Sequence, residues 1–137
     1  MTITLRILPD EFTLYQWDRS YQISHDLLNL PWYTLSRTAS ELSLLVPSDA
    51  TAPDLLAASK KEPDWRCLQV DAQMDFGLVG ILASIINPLR DNQIPVFAVS
   101  TFDTDYVLVK KEDLEKAIGA LNVVENIVLK PGESVQK

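Results

Sequence analysis

Val96-Phe97-Ala98-Val99-Ser100-Thr101-Phe102-Asp103-Thr104-Asp105-Tyr106-Val107-Leu108-Val109 reads as two strands folded against each other around a polar turn. Both arms are β-branched and aromatic, which suits a pleated, half-buried surface. The corner between them is crowded with side-chain oxygens. Two readings of its carboxylates stand side by side. Aspartate and threonine at a hairpin corner commonly hydrogen-bond the local backbone. A carboxylate at the mouth of a strand also holds a cation, and Asp105, which begins the returning strand, is placed to receive the ammonium group of a small ligand.

Working outward, the hairpin is flanked by helical periodicity on both sides. Before it, Phe76-Gly77-Leu78-Val79-Gly80 opens a helix in which Ile81, Leu82, Ile85, Ile86 and Leu89 recur at helical spacing. Pro88 is expected to kink or end that helix between Asn87 and Asn92. After the hairpin, Glu112 to Leu121 places Leu114, Ala117, Ile118 and Leu121 on one face, with acidic residues in the first turn where the macrodipole favours them. Trp65 to Val70 and Val123 to Leu129 supply a strand at either end. The order strand, helix, strand, strand, helix, strand is the split-βαβ arrangement, an α+β fold whose antiparallel sheet carries both helices on one face.

Upstream the chain is harder to read. Thr2 to Leu8 alternates polar and apolar residues as a strand with one wet face does. Pro9-Asp10 breaks it, and Phe12 to Trp17 forms a second strand, so the opening reads as a hairpin or as a strand and a short helix. Ser24 and Asp26 are placed to cap a turn of helix through Leu27, Leu28 and Leu30. Thr34 to Val46 is again an extended arm, a polar corner and a second arm. Overlaid on the quoted stretch, Ser36 falls on Ser100, Glu41 on Asp105, and Leu44-Leu45 on Leu108-Val109. The repetition points to two modules of related architecture. Pro47 to Pro63 is a proline-rich connection with one helical turn capped by Asp54. The domains expected are therefore a degenerate, strand-rich module over residues 1–63, a second βαββαβ module over 64–130, and a polar tail over 131–137.

The 137 residues fit one domain or two small modules, and a hydrophobic content of 47% with 23% charged residues is that of a globular chain. The net charge of −7 argues against nucleic acid and anionic membrane as partners, because both reward a basic patch. No apolar run approaches the ~20 residues that span a bilayer. The amino terminus has no signal-peptide pattern, so a cytoplasmic location is expected. Cys67 alternates with apolar neighbours and reads as a buried thiol. His25 reads as a solvated loop residue, with no nucleophile and orienting group to make it a catalytic base. Without paired Cys/His spacing or a glycine-rich phosphate loop, neither a metal, a cofactor nor an enzymatic activity is expected.

In a split-βαβ sheet the strand ending at Val70 neighbours the one ending near Thr101, so the helix start approaches the hairpin corner. Free N–H groups at a helix amino terminus bind anions, and glycine there permits close approach. An amide nest at Gly77 and Gly80 beside an ammonium-binding Asp105 matches a free α-amino acid. The alternative is that both glycines serve only a tight turn and close helix packing.

The run from Trp65 to Leu121 resembles the ACT domain, a small amino-acid-sensing regulatory module. Within that superfamily it is most similar to the paired-ACT proteins of the CASTOR arginine-sensor family and to small two-module bacterial ACT proteins. The residues that carry this are a phenylalanine, a short gap and Gly80-Ile81, then Asn87-Pro88-Leu89, then Ser100-Thr101-Phe102-Asp103-Thr104-Asp105 followed by Leu108-Val109. Glu41-Leu42-Ser43 after Ser-Arg-Thr is similar to the first-module pattern. The resemblance implies a non-catalytic regulator acting on a protein partner, with a small amino acid bound between ACT modules, and a homodimer is expected because an antiparallel sheet edge is unpaired in the monomer. It implies that Phe76, Gly77, Leu78, Gly80, Ile81, Thr101 and Phe102 border the ligand while Asp105 holds its ammonium group. The arginine sensors carry a glutamate where this chain has Leu78. An apolar group facing a buried guanidinium leaves its donors unpaired at a cost of roughly 1–3 kcal/mol or more. A neutral or apolar amino acid is therefore expected in preference to arginine. A ligand-free dimerisation or adaptor module is the alternative function.

Overall fold

The computed structural model describes residues 2–71 and 80–136. Its strands are β1 (Ile3–Trp17), β2 (Thr34–Arg37), β3 (Leu42–Pro47), β4 (Lys60–Val70), β5 (Phe97–Ser100), β6 (Asp105–Lys110) and β7 (Ile127–Pro131). Its helices are α1 (His25–Leu28), α2 (Pro53–Leu56), α3 (Ile81–Asp91) and α4 (Leu114–Asn122), the last preceded by a 3₁₀ turn at Lys111–Asp113. The chain divides into two compact units, one comprising Met1–Pro9 with Trp65–Glu133 and the other Asp10–Asp64 with Ser134–Lys137.

The first unit carries β4, α3, β5, β6, α4 and β7 in the βαββαβ order expected. β5 pairs antiparallel with β6, Phe97 facing Leu108 and Ser100 facing Asp105. β6 pairs antiparallel with β4, from Trp65 opposite Lys110 to Gln69 opposite Tyr106. On the other side of β4 lies the start of β1, whose Thr4 carbonyl accepts from the Asp71 amide at 2.8 Å. β7 pairs parallel with β1, from Ile3 beside Ile127 to Ile7 beside Pro131. Alternation decides which face is covered. Ile3 and Leu5 of β1, Leu68 and Val70 of β4, and Val107 and Val109 of β6 bury in one cluster with Ile81, Ile85 and Leu89 of α3 and Leu114, Ala117 and Leu121 of α4. Both helices thus cover the same face of this sheet.

α3 runs through Pro88 and ends at Asp91, where the Asn92 amide and side chain both reach the Pro88 carbonyl. Pro88 has no N–H for the preceding turn, so the helix gives up one bond and stops a turn later. The last strand starts at Ile127 rather than Val123, because Val123 caps α4.

The opening of the chain differs from the expected hairpin: it is one strand of 15 residues. Pro9 does not break it because β1 changes partner there. Pairing with β7 ends at Ile7 and pairing with β3 begins at Phe12. The Ile7 and Glu11 carbonyls accept from Gly132 and Ser48. Pro9, between them on that edge, has no ladder bond to forfeit. The first nine residues consequently belong with Trp65–Glu133, whereas the sequence alone groups them with residues 10–63.

In the second unit the later part of β1 pairs antiparallel with β3, and β3 with β2. Tyr15, Trp17, Leu27, Leu42, Leu44 and Val46 form its core. Ser24 caps α1 as expected, its side chain accepting from the Leu27 amide. Asp54 does not cap α2. Ala52 holds the cap position without a side-chain bond, and Pro53 supplies the preset first residue. Part of the expected tail also folds back, for Ser134 Oγ and the Val135 amide bond to the two carboxylate oxygens of Asp10 at 2.8 and 3.1 Å.

Candidate ligand site

The β5–β6 corner is built by threonine. Thr101 N–H donates to the Thr104 carbonyl at 2.8 Å, and Thr101 Oγ1 both donates to that carbonyl and accepts from the Thr104 amide. Thr104 Oγ1 donates to the Val70 carbonyl at 2.5 Å, tying the corner to the end of β4. Thr101 is therefore a turn-forming residue, and Phe102 projects at 78% exposure. Beyond the corner, β6 begins with Asp105, which is only 2% exposed. Its side chain lies on the same face of β6 as Val107 and Val109, the face that packs against Ile81.

Two carboxylates are buried among the described residues, and they differ in how well they are satisfied. Asp54, 1% exposed, accepts from the Ser24 hydroxyl, from the Ser24 amide at 3.0 Å and from the Tyr21 hydroxyl at 3.0 Å. Burial pushes its pKa up, and the hydrogen bonds from Ser24 and Tyr21 outweigh that and hold it below the ordinary carboxylate value. Asp54 is a structural anchor. Asp105 accepts one hydrogen bond among the described residues, from the Ser100 hydroxyl at 2.5 Å. A carboxylate offers about four lone-pair sites, so the described residues leave part of the acceptor capacity of Asp105 unused in a buried position.

The start of α3 supplies the opposite polarity. Gly80 takes φ of 82°, and its carbonyl accepts from both the Ser84 amide at 2.8 Å and the Ser84 hydroxyl at 2.7 Å. Among the described residues no side chain caps this helix. The amides of Ile81, Leu82 and Ala83 precede the first i to i−4 bond and have no partner within it. A Cβ on Gly80 meets nothing within 4 Å among the described residues, so the glycine is required by its left-handed φ and not by close helix packing. Ile81 is 9% exposed. Phe76, Gly77 and Leu78 lie outside the described residues.

The second unit repeats the hairpin with a different register from the sequence overlay. Arg37 faces Leu42 as Ser100 faces Asp105, and Thr34 faces Leu45 as Phe97 faces Leu108. Thr38 makes the same turn as Thr101, its N–H donating to the Glu41 carbonyl and its Oγ1 accepting from the Glu41 amide. The counterpart of Asp105 is thus Leu42, fully buried, and the exposed Glu41 stands where Thr104 does. The shared threonine, rather than the shared carboxylate, was the signal that fixes the correspondence.

Among the described residues no cluster of His, Cys, Asp and Glu has metal-binding geometry, and no helix is long and apolar enough to cross a membrane. Cys67 is fully buried.

Comparison with known proteins agrees with this architecture. A family model described as the ACT domain matches residues 60–123. The human cytosolic arginine sensor for mTORC1 subunit 1 is 28% identical over 97 residues, covering 66% of this chain and 30% of that protein. The chain spans about half or less of the length of the curated relatives it matches. Among solved structures, protein Atu0741 from Agrobacterium tumefaciens superposes with a TM-score of 0.79 at 30% identity, over 97% of each chain. The ligand-free regulatory subunit of aspartate kinase from Thermus thermophilus has the same fold, with a TM-score of 0.56 at 10% identity, over 85% of this chain and 93% of that one.

Proposed function

Because the chain belongs to the ACT domain family, we propose that it is a non-catalytic regulator that binds a small free amino acid where one ACT module meets another. The observation that carries this is Asp105, a buried carboxylate with one hydrogen-bond donor among the described residues, on the sheet face that packs against the start of α3. Leaving a buried anion under-bonded costs about 1–3 kcal/mol or more, and an ammonium group is the ligand that removes that cost. The uncapped amides of Ile81 to Ala83 offer the ligand's carboxylate its donors. Gly80, Thr101 and Phe102 border the ligand, together with Phe76, Gly77 and Leu78. Leu78 favours a neutral or apolar side chain over arginine. The relatives named as cytosolic arginine sensors support a cytoplasmic sensor. The edge of β5, which among the described residues pairs with β6 alone, supports a homodimer, and a regulated protein is the further partner.

A ligand-free dimerisation or adaptor module is the second reading, favoured by the 2% exposure of Asp105. A thermal-shift and calorimetric panel of the free amino acids separates the two, since a ligand that binds only the folded state raises its melting temperature. We expect a neutral amino acid to raise it and Asp105→Asn to abolish the rise. A panel with no stabilising amino acid would replace the sensor with the adaptor. Arginine as the tightest ligand would overturn the specificity while leaving the sensor intact.

A further inference from the structure

A hollow of about 520 Å³ opens in the unit Asp10–Asp64, lined chiefly by Tyr15, Ala50, Ala52, Leu55, Leu56 and Lys61. Its volume lies within the ~300–1,000 Å³ typical of small-molecule sites, and its walls are mostly apolar, as such sites are. Tyr15, Ala50, Ala52 and Leu55 pack on the core of this unit, so the floor is fixed. Leu56 stands at the rim with 94% of its surface exposed, the most exposed of the large apolar residues described. One cation belongs to the hollow. Lys61 Nζ lies 6.0 Å from the centre of the Tyr15 ring and takes part in neither ion pair found among the described residues.

We infer that this hollow binds a small monocarboxylate with an apolar body, the tail lying against Tyr15, Leu55 and Leu56 and the carboxylate meeting Lys61. Charge selects this occupant. Lys61 is the one charged residue among those lining the hollow, and it stands against an otherwise largely apolar wall. An apolar amine is repelled there, an apolar alcohol gains only the wall contacts, and an apolar acid gains both. The site shares no residue with the Asp105 site, so either can fail alone.

The test uses the full chain, with octanoate, 1-octanol and octylamine as probes. Binding is followed by calorimetry and by the methyl resonances of Leu55 and Leu56. Octanoate is expected to bind several-fold tighter than 1-octanol and to move both sets of resonances, and octylamine to bind weakest. Lys61→Met is expected to weaken octanoate roughly three- to ten-fold and to leave 1-octanol unchanged, in line with a partly solvated charge pair. Equal affinity for octanoate and 1-octanol in the unaltered protein overturns the inference, as do unmoved leucine resonances. If octanoate does not bind and Leu56→Glu converts a dimer to a monomer in sedimentation, the hollow is a contact between copies of the chain and the inference falls.

Discussion

The Ser100 hydroxyl donates to the Asp105 carboxylate at 2.5 Å across the first pair of the β5–β6 hairpin. That bond is the carboxylate's one internal compensation for burial among the described residues, so the two side chains should respond to substitution in opposite ways. Ser100→Ala strips the buried charge of its donor and is expected to destabilise the free protein by about 1–3 kcal/mol. Asp105→Asn removes the charge instead, and is expected to leave stability within roughly 1 kcal/mol while weakening amino-acid binding ten-fold or more. Chemical denaturation of the two variants, paired with calorimetric titration, measures both effects. Asp105→Asn destabilising the free protein more than Ser100→Ala would make the carboxylate a structural group.

Gly80 is held at φ of 82°, and no described residue stands within 4 Å of where a Cβ would be. Gly80→Ala therefore meets backbone strain without a clash. A loss of about 1–2 kcal/mol in stability is expected from the left-handed conformation alone. Any larger loss of ligand affinity reports displacement of the Ile81 to Ala83 amides. Thermal melts with and without ligand distinguish the two, because strain lowers both curves equally and a displaced amide nest narrows the gap between them.

The sequence states the second module almost completely, since its elements are each coherent at their own period. Alternation sets the strands, helical spacing sets α3 and α4, and proline ends α3 within the expected window. What it does not state is strand partnership. Ile3, Leu5 and Ile7 were legible as one buried face, but nothing local indicates that this face closes on α3 and α4 beside β7. Pro9 reads as a break because proline usually is one, and only the change of partner from β7 to β3 makes it harmless. The repeated hairpin shows the same limit at finer scale. Placing Glu41 on Asp105 is a slip of one residue, which exchanges the two faces of a strand, and the turn bonds of Thr38 and Thr101 correct it. For the site, Asp105 and Gly80 were legible by residue type, while the partner that makes Asp105 informative, Ser100, becomes visible only through the register.

Gly132 follows β7, where its N–H donates to the Ile7 carbonyl at 2.9 Å. A Cβ there would lie 2.9 Å from Leu8 Cδ2 and 3.1 Å from Arg6 Cβ. Leu8 is 2% exposed and has little room to yield. Gly132→Ala is expected to cost about 1–3 kcal/mol through overpacking and to loosen the parallel β1–β7 pair. Hydrogen exchange at the amides of Leu5 and Lys130, which face each other's strand in this register, reads this directly: faster exchange there than at β6 is expected, and uniform exchange would mean that β7 does not depend on this contact.

Asp54 makes the second unit sensitive to acid. Its folded pKa is depressed below the ordinary carboxylate value because the Ser24 and Tyr21 hydrogen bonds outweigh the effect of burial. In the unfolded chain the same group protonates near ~3.9. Above that pH the charged, hydrogen-bonded carboxylate stabilises the fold. As pH falls below ~3.9 the unfolded state takes up a proton that the folded state still refuses, and the contribution fades until the folded group also protonates. Asp54→Asn is expected to lose about 1–3 kcal/mol at neutral pH, since at least one of its three donors is left facing an amide N–H₂. It is also expected to flatten the fall in stability below pH 4. Tyr21→Phe removes one donor and leaves two, which brings the folded pKa closer to the unfolded one, so its acid-induced loss should be smaller and should end at a higher pH than in the unaltered protein. Denaturant melts from pH 3 to 7, followed by far-UV circular dichroism, test the series. Identical acid slopes in all three proteins would show that another carboxylate governs the acid transition.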